Sequence, residues 1–170
     1  MTRGIVLFAT KYGSTQEIAG ALADKLGFKS KNVVDIKDDS ELDQYDVILL
    51  GAPIYFDDIY QDMKHFIQSF FIKLGGKKLI TFAVYGATKG YVEIDYAQKF
   101  ANYFDPKPVL SLIFLGRATK ETLGEDDYKK LYIFYKYRLR SKFEDFDYFD
   151  ENKIDVVAEK VREIIEKLGC

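Results

Sequence analysis

Ile5-Val6-Leu7-Phe8-Ala9-Thr10-Lys11-Tyr12-Gly13-Ser14-Thr15-Gln16-Glu17-Ile18-Ala19 runs from an apolar segment, through a short turn, into a helical pattern. The apolar run reads as a buried strand and the pattern after it as an amphipathic helix. Between them the turn gathers backbone N–H groups and the hydroxyls of Thr10, Ser14 and Thr15 at a helix N-terminus, a place suited to a phosphate. Gly13 allows close approach, and Ser14 with Glu17 has the S-x-x-E spacing of a capping box. A merely capped helix would explain Ser14 and Glu17 but not Thr10 and Thr15 as well. The turn carries no Walker lysine, which narrows the phosphate ligand.

Outward from this turn, strand-like runs alternate with helical patterns. Residues 4–9 read as the first strand and 15–26 as a helix stopped by Gly27. A short second strand is expected at 32–36, and a third at 46–52, apolar on both faces as a central parallel strand should be. A helix at 59–72 ends at Gly75-Gly76. The fourth strand falls at 78–85, a helix at 92–104, and the fifth strand at 109–115. The last helix, 153–168, places Ile154, Val157, Val161, Ile164, Ile165 and Leu168 at helical spacing. Such alternation implies a doubly wound parallel sheet with right-handed crossovers, with ligands outside the carboxyl ends of the strands. The loops after strands one, three, four and five are therefore the places for chemistry.

Composition bounds the function. With 170 residues and 48% hydrophobic content, one globular domain spanning 1–170 with a full core is expected. A net charge of −2 argues against general nucleic-acid affinity. The single cysteine, Cys170, implies neither a disulfide framework nor a cysteine metal cluster, which fits a reducing compartment. Met1-Thr2-Arg3-Gly4 enters a strand at once, so no signal peptide is expected. No apolar run approaches the roughly 18 residues that span a bilayer. The expectation is a soluble, cytoplasmic protein, with at most a peripheral contact at the inner face of a membrane.

Residues 116–150 exceed an ordinary connection between a strand and a helix. Residues 127–143 look helical, preceded by Glu125-Asp126 where acid suits the helix dipole. From Tyr128 to Phe143 there are six cations, six aromatics and no acids.

The run Thr10-Lys11-Tyr12-Gly13-Ser14-Thr15 resembles the flavodoxin-type phosphate loop, T-x-x-G-x-T, with Tyr12 where a threonine is usual. After the third strand, Gly51-Ala52-Pro53-Ile54-Tyr55-Phe56 resembles the loop that flanks the isoalloxazine ring in flavodoxin-like proteins. Pro53 restricts the backbone there, while Ile54, Tyr55 and Phe56 offer surface for a planar ring. The plainer reading is that Tyr55 and Phe56 close the sheet edge. Asp57, Asp58 and Asp62 would add negative charge, which disfavours an anionic reduced flavin. After the fourth strand, Tyr85-Gly86-Ala87-Thr88-Lys89-Gly90-Tyr91 stands where the family supplies a second flavin loop. Gly86 and Gly90 permit backbone approach, and Tyr85 or Tyr91 would stack on the ring. The commoner G-x-G-D signature is missing.

Over nearly its whole length the chain looks most like the menaquinone-dependent protoporphyrinogen oxidase branch of the flavodoxin superfamily. The likeness is sharp over residues 5–19 and 47–67. It implies a five-stranded sheet in the order 2-1-3-4-5, FMN as cofactor and two-electron redox chemistry. Thr10, Lys11, Tyr12, Gly13, Ser14 and Thr15 would then bind the phosphate, and Pro53, Ile54, Tyr55, Phe56, Tyr85, Gly86, Ala87 and Tyr91 would surround the ring.

Three readings of the insertion stay open. It packs on the domain through Tyr128, Leu131, Tyr132, Tyr135 and Leu139; or it docks a large acidic substrate such as a porphyrinogen through Arg117, Arg138 and Arg140; or it touches a membrane surface to reach a quinone. The acidic flank Glu144-Asp145-Phe146-Asp147 opposes strong attachment to anionic lipid.

His65, the only histidine, sits in a helical pattern as a surface or packed residue, so neither a Cys-His pair nor a zinc site is expected. The leading expectation is an FMN-dependent oxidoreductase passing electrons from a reduced substrate to a quinone or a protein, with no side chain an evident acid or base. The alternative is an electron carrier without its own substrate. A receiver domain would need acids where Thr10-Lys11 and Ala52-Pro53 stand. No G-x-G-x-x-G follows a strand, which argues against a dinucleotide-binding domain.

Overall fold

The structure is a computed structural model that describes residues 2–86 and 95–169. β1 (Gly4–Phe8) is buried along its whole length. α1 (Ser14–Leu26) ends at Gly27, whose φ of 69° is the left-handed conformation of a helix stop. β2 (Lys29–Asn32) is followed by a 3₁₀ turn at Val33–Asp35, capped by the Asn32 side chain, which accepts the Val34 N–H. The second strand therefore lies earlier than 32–36. β2 is an edge strand paired with β1, Ile5 opposite Lys29 and Phe8 opposite Asn32, and its KSKN sequence suits a partly solvated edge. The apolar Val33 and Ile36, which pointed to a strand, are instead buried in and beside the turn.

β3 (Val47–Tyr55) pairs with β1 and is longer than expected. It folds back on β4 (Asp58–Ile59) as an antiparallel hairpin, with Ile54 opposite Ile59 and Tyr55 opposite Asp58. α2 (Gln61–Gly75) follows, and His65 is exposed on it. β5 (Lys78–Tyr85) lies where the fourth strand was expected. α3 (Tyr96–Ala101) is shorter than the expected 92–104, whose first residues lie outside the described ones, as does Cys170. β6 (Leu110–Leu115) completes a parallel sheet in the order β2-β1-β3-β5-β6, with β4 beside β3. Counted by crossing strands, this is the 2-1-3-4-5 order of a flavodoxin fold.

The two faces of the sheet carry separate cores because successive side chains on a strand point opposite ways. Ile5 and Leu7 of β1 join Ile48, Leu50, Met63, Phe66 and Phe100 on the face covered by α2 and α3. Val6 and Phe8 join Leu49, Phe82, Ile18, Leu22 and Val161 on the face covered by α1 and by α5 (Glu151–Lys167). Each such side chain contributes roughly 1.5–3 kcal/mol by burial, so this double core fixes the fold. It leaves the carboxyl ends of β1, β3, β5 and β6 on one edge.

The insertion is held differently. β7 (Arg117–Ala118) pairs antiparallel with β8 (Phe146–Asp147), and α4 (Glu125–Tyr137) lies between them in sequence. The helix starts two residues before the expected 127 and stops at Arg138, well short of 143. Glu125, Asp126 and Asp127 all fall in its first turn, where the dipole favours acid. No α4 residue is fully buried. Tyr128, Leu131, Tyr135 and Leu139 are half-buried as expected, but Tyr132 is 43% exposed and Phe134 is half-buried in its stead. A small aromatic cluster anchors the segment, with Tyr128 and Tyr135 edge-on to the buried Phe143 at 5.7 and 5.3 Å. Among the described residues no helix is long and apolar enough to cross a membrane, and no group of acids, His or Cys is arranged to hold a metal.

Candidate functional site

At the carboxyl edge of the sheet lies a cavity of about 350 Å³, within the range of small-molecule sites. One end is the turn between β1 and α1. Gly13 has φ 92°, a left-handed conformation that lets the chain reverse into the helix. Thr10 Oγ1 accepts the Gly13 N–H at 2.9 Å and closes the turn. The N–H groups of Ser14, Thr15 and Gln16 at the start of α1 have no intrahelical acceptor and carry the positive end of the dipole. Thr15 is 1% exposed, lines the cavity, and its hydroxyl has no hydrogen-bond partner among the described residues.

The expected capping box does not form. Gly13, not Ser14, occupies the cap position, and no side chain caps the helix. Ser14 Oγ accepts the N–H of Arg117 at 3.1 Å, and Glu17 pairs with the Arg117 guanidinium at 2.7 Å. Both residues are thus taken by a strand about a hundred positions further on. Arg117 also pairs with Asp147 at 3.5 Å, so it is not a free cation for substrate acids, whereas Arg138 and Arg140 are exposed away from the cavity lining.

The apolar end of the cavity is built from β3 and β5. Pro53, Ile54, Tyr55 and Phe56 line one side, Val84, Tyr85 and Gly86 another. The hairpin tip holds both Phe56 and Asp57 at positive φ, 51° and 60°, the pattern of a type I′ turn. Phe56 is 77% exposed although it belongs to the cavity rim. Tyr55 packs on Tyr60 at 5.4 Å, and burial pushes its hydroxyl pKa far above the usual tyrosine value. A Cβ on Gly86 would stand 2.4 Å from the Phe146 ring, so only glycine lets β8 close on the end of β5. Of the expected site residues, all the described ones except Gly13 line this one cavity; Gly13 acts through its backbone. Ala87 and Tyr91, with Gly90, lie outside the described residues.

Several lining residues were not foreseen. Tyr96 packs on Tyr85 at 5.0 Å and donates to Asp57 at 2.8 Å. Asp127, Lys130, Leu131 and Phe134 of α4 form the outer wall together with Phe146. Asp127 accepts from Lys11 Nζ at 2.5 Å and from Tyr12 Oη at 2.7 Å. Burial works against its charge, but these two donors prevail and hold its carboxyl below the usual range. The same hydrogen bond raises the Lys11 pKa, and burial raises that of Tyr12. Only the acid run at 125–127 marked this place in the sequence, and it reads equally as a helix start. Asp58, expected beside the ring, is engaged by Tyr103 at 2.9 Å and Lys64 at 3.1 Å.

Comparison with known proteins accords with this geometry. A family model described as a flavodoxin domain matches residues 5–137. No curated protein sequence matches the chain. A flavodoxin from the domain Archaea superposes with a TM-score of 0.57 at 15% identity, over 95% of this chain and 99% of that one. Oxidised flavodoxin 1 from Bacillus cereus gives 0.54 at 22% identity, over 76% and 92%. A flavo di-iron protein from Thermotoga maritima gives 0.56 at 12% identity, covering 96% of this chain but 35% of its own.

Proposed function

This chain belongs to the flavodoxin domain family, and on that premise we propose that it binds FMN in the cavity and passes electrons between redox partners. The observation that carries the proposal is the buried Thr15 hydroxyl, without a partner among the described residues, beside the open amides of α1. Leaving such a group unsatisfied costs roughly 1–3 kcal/mol, which a phosphate accepting its hydrogen would recover. In this reading Thr10, Gly13, Ser14 and Thr15 hold the phosphate, with Lys11 and Tyr12 shaping the turn. Pro53, Ile54, Tyr55, Phe56, Tyr85 and Gly86 enclose the ring, and Ala87 and Tyr91 extend that wall on their sequence pattern alone. The bound flavin supplies an acceptor for one or two electrons. The protein supplies orientation and a dry, aromatic wall; no side chain is assigned a proton.

We further propose that the donor is a reduced small molecule, of which a porphyrinogen is one example, and that the acceptor is a quinone or a redox protein. This reading is supported by the wall that Leu131, Phe134 and Phe146 add to the cavity, which gives a small apolar substrate surface to pack against. The test is a titration of flavin-free protein with FMN, followed by flavin fluorescence, with riboflavin as control. One-to-one quenching by FMN, at least about tenfold tighter than by riboflavin, is the expected result for a phosphate held by charged hydrogen bonds. Equal or absent binding of the two overturns the phosphate assignment. Anaerobic bleaching of the bound flavin by a porphyrinogen, against none by a reduced protein alone, then separates the enzyme from the carrier.

A further inference from the structure

We propose that α4 is a latch on the phosphate-binding turn, with Asp127 the positioning residue that keeps it shut. The inference rests on the reading of that turn given above and assigns a role to the insertion that the reading leaves open. The turn at residues 10–15 is local in sequence, yet its side chains are held from far away. Lys11 Nζ and Tyr12 Oη donate to one oxygen of Asp127 at 2.5 and 2.7 Å, and the Gly124 N–H donates to Tyr12 Oη at 3.1 Å. Behind the turn, Arg117 holds Ser14 and Glu17. The insertion therefore grips both flanks of the turn.

Exposure decides which contacts matter. The Asp127 side chain is only 13% exposed, so its bonds are shielded from water. The Lys129–Glu125 pair on the outer face, at 63% and 81%, is a surface pair of little weight. The Asp127 bonds hold the first turn of α4 together with the packing of Tyr128 on the buried Phe143. Three residues on, Lys130 Nζ stands 4.8 Å from the centre of the Phe56 ring. The helix thereby spans from the phosphate turn to the hairpin tip, across the outer wall of the cavity. In the latch, α4 lies over the route by which a ligand of nucleotide size reaches the turn.

All the latch contacts join protein to protein, so they close the path to an incoming ligand as they do to a departing one. Weakening them opens the path in both directions. Entry and exit rates then rise together while affinity hardly moves, a signature that a residue merely stabilising the bound state does not give.

The test measures FMN association and release by stopped-flow fluorescence. Asp127→Ala is expected to raise both rates by about tenfold or more, since two charge-assisted hydrogen bonds are lost. The dissociation constant should stay within about threefold, a difference well under the 1.4 kcal/mol of a tenfold change. Tyr12→Phe should give a smaller rise and add less than fully to Asp127→Ala; Asp127→Glu, which keeps the charge, should restore part of the closure. Asp127→Asn serves if the alanine variant folds poorly. A second arm follows hydrogen exchange of the α4 amides without added flavin, where Asp127→Ala should exchange faster than a Glu125→Ala control. Unchanged rates, or weaker affinity through release alone, overturn the latch. Should the wild type bind no FMN, the functional reading fails and the latch falls with it; FMN binding by the wild type with unchanged α4 exchange in Asp127→Ala overturns the latch alone.

Discussion

Thr15 shows how much one residue can carry. A threonine at the second position of a helix, 1% exposed and without a partner among the described residues, is a local defect that the fold tolerates. Replacing it by valine removes the unsatisfied hydroxyl at nearly constant shape. Thr15→Val should therefore stabilise the flavin-free protein by up to about 1–3 kcal/mol, each kilocalorie raising Tm by roughly 2–4 °C in a chain of this size. The same change should weaken FMN about tenfold and leave riboflavin untouched. Melting curves and the quenching titration read the two effects separately, and a variant that gains stability with no loss of FMN affinity refutes the phosphate role. Ser14 teaches the opposite lesson. Its spacing to Glu17 spells a capping box, but Arg117, remote in sequence, takes both side chains. Nothing local could have revealed that.

Among the elements, those made by burial were legible and those made by pairing alone were not. β1, β3 and β5 are apolar runs whose place in the sheet follows from hydrophobic pattern. β2 is four polar residues whose register is set by β1, so the apolar residues beside it misled. The hairpin of β3 and β4 was invisible because Phe56-Asp57 carries neither glycine nor asparagine, although both residues adopt positive φ. A left-handed phenylalanine costs on the order of 1–2 kcal/mol. Strain of this kind, placed at a cavity rim, points to use. Phe56→Asn should accordingly raise Tm by roughly 2–4 °C for each kilocalorie of relieved strain while reducing the quenching of bound flavin. If the variant melts lower, the ring of Phe56 is holding the hairpin through Lys130 rather than straining it.

At the scale of the molecule, a buried two-faced sheet carries the stability and an aromatic insertion with no deeply buried helix covers the site. The two parts answer pH in different ways. Asp58 and Asp127 are partly buried carboxylates held below their usual range by hydrogen bonds that outweigh burial. A depressed pKa contributes stability that is present above the unfolded value of 3.8 and is lost as pH falls through the folded one. Tyr12, Tyr55, Tyr85 and Tyr103 are shifted the other way, chiefly by burial, Tyr103 up to about 12. Their contribution is complete below the unfolded value of 10.0 and is lost as pH rises above it. Urea midpoints should thus be level through neutral pH and fall on both sides, below about 4 and above about 10. Lys11, Tyr12 and Asp127 form one cluster, so the acid limb should loosen the insertion before the sheet. In Asp127→Asn that limb should be shallower while the alkaline limb, governed also by Tyr55 of β3, Tyr85 of β5 and Tyr103 beyond α3, keeps its slope. An acid limb identical in wild type and Asp127→Asn would mean that Asp58 and the exposed carboxylates govern acid stability, and that α4 is held by its aromatic cluster alone.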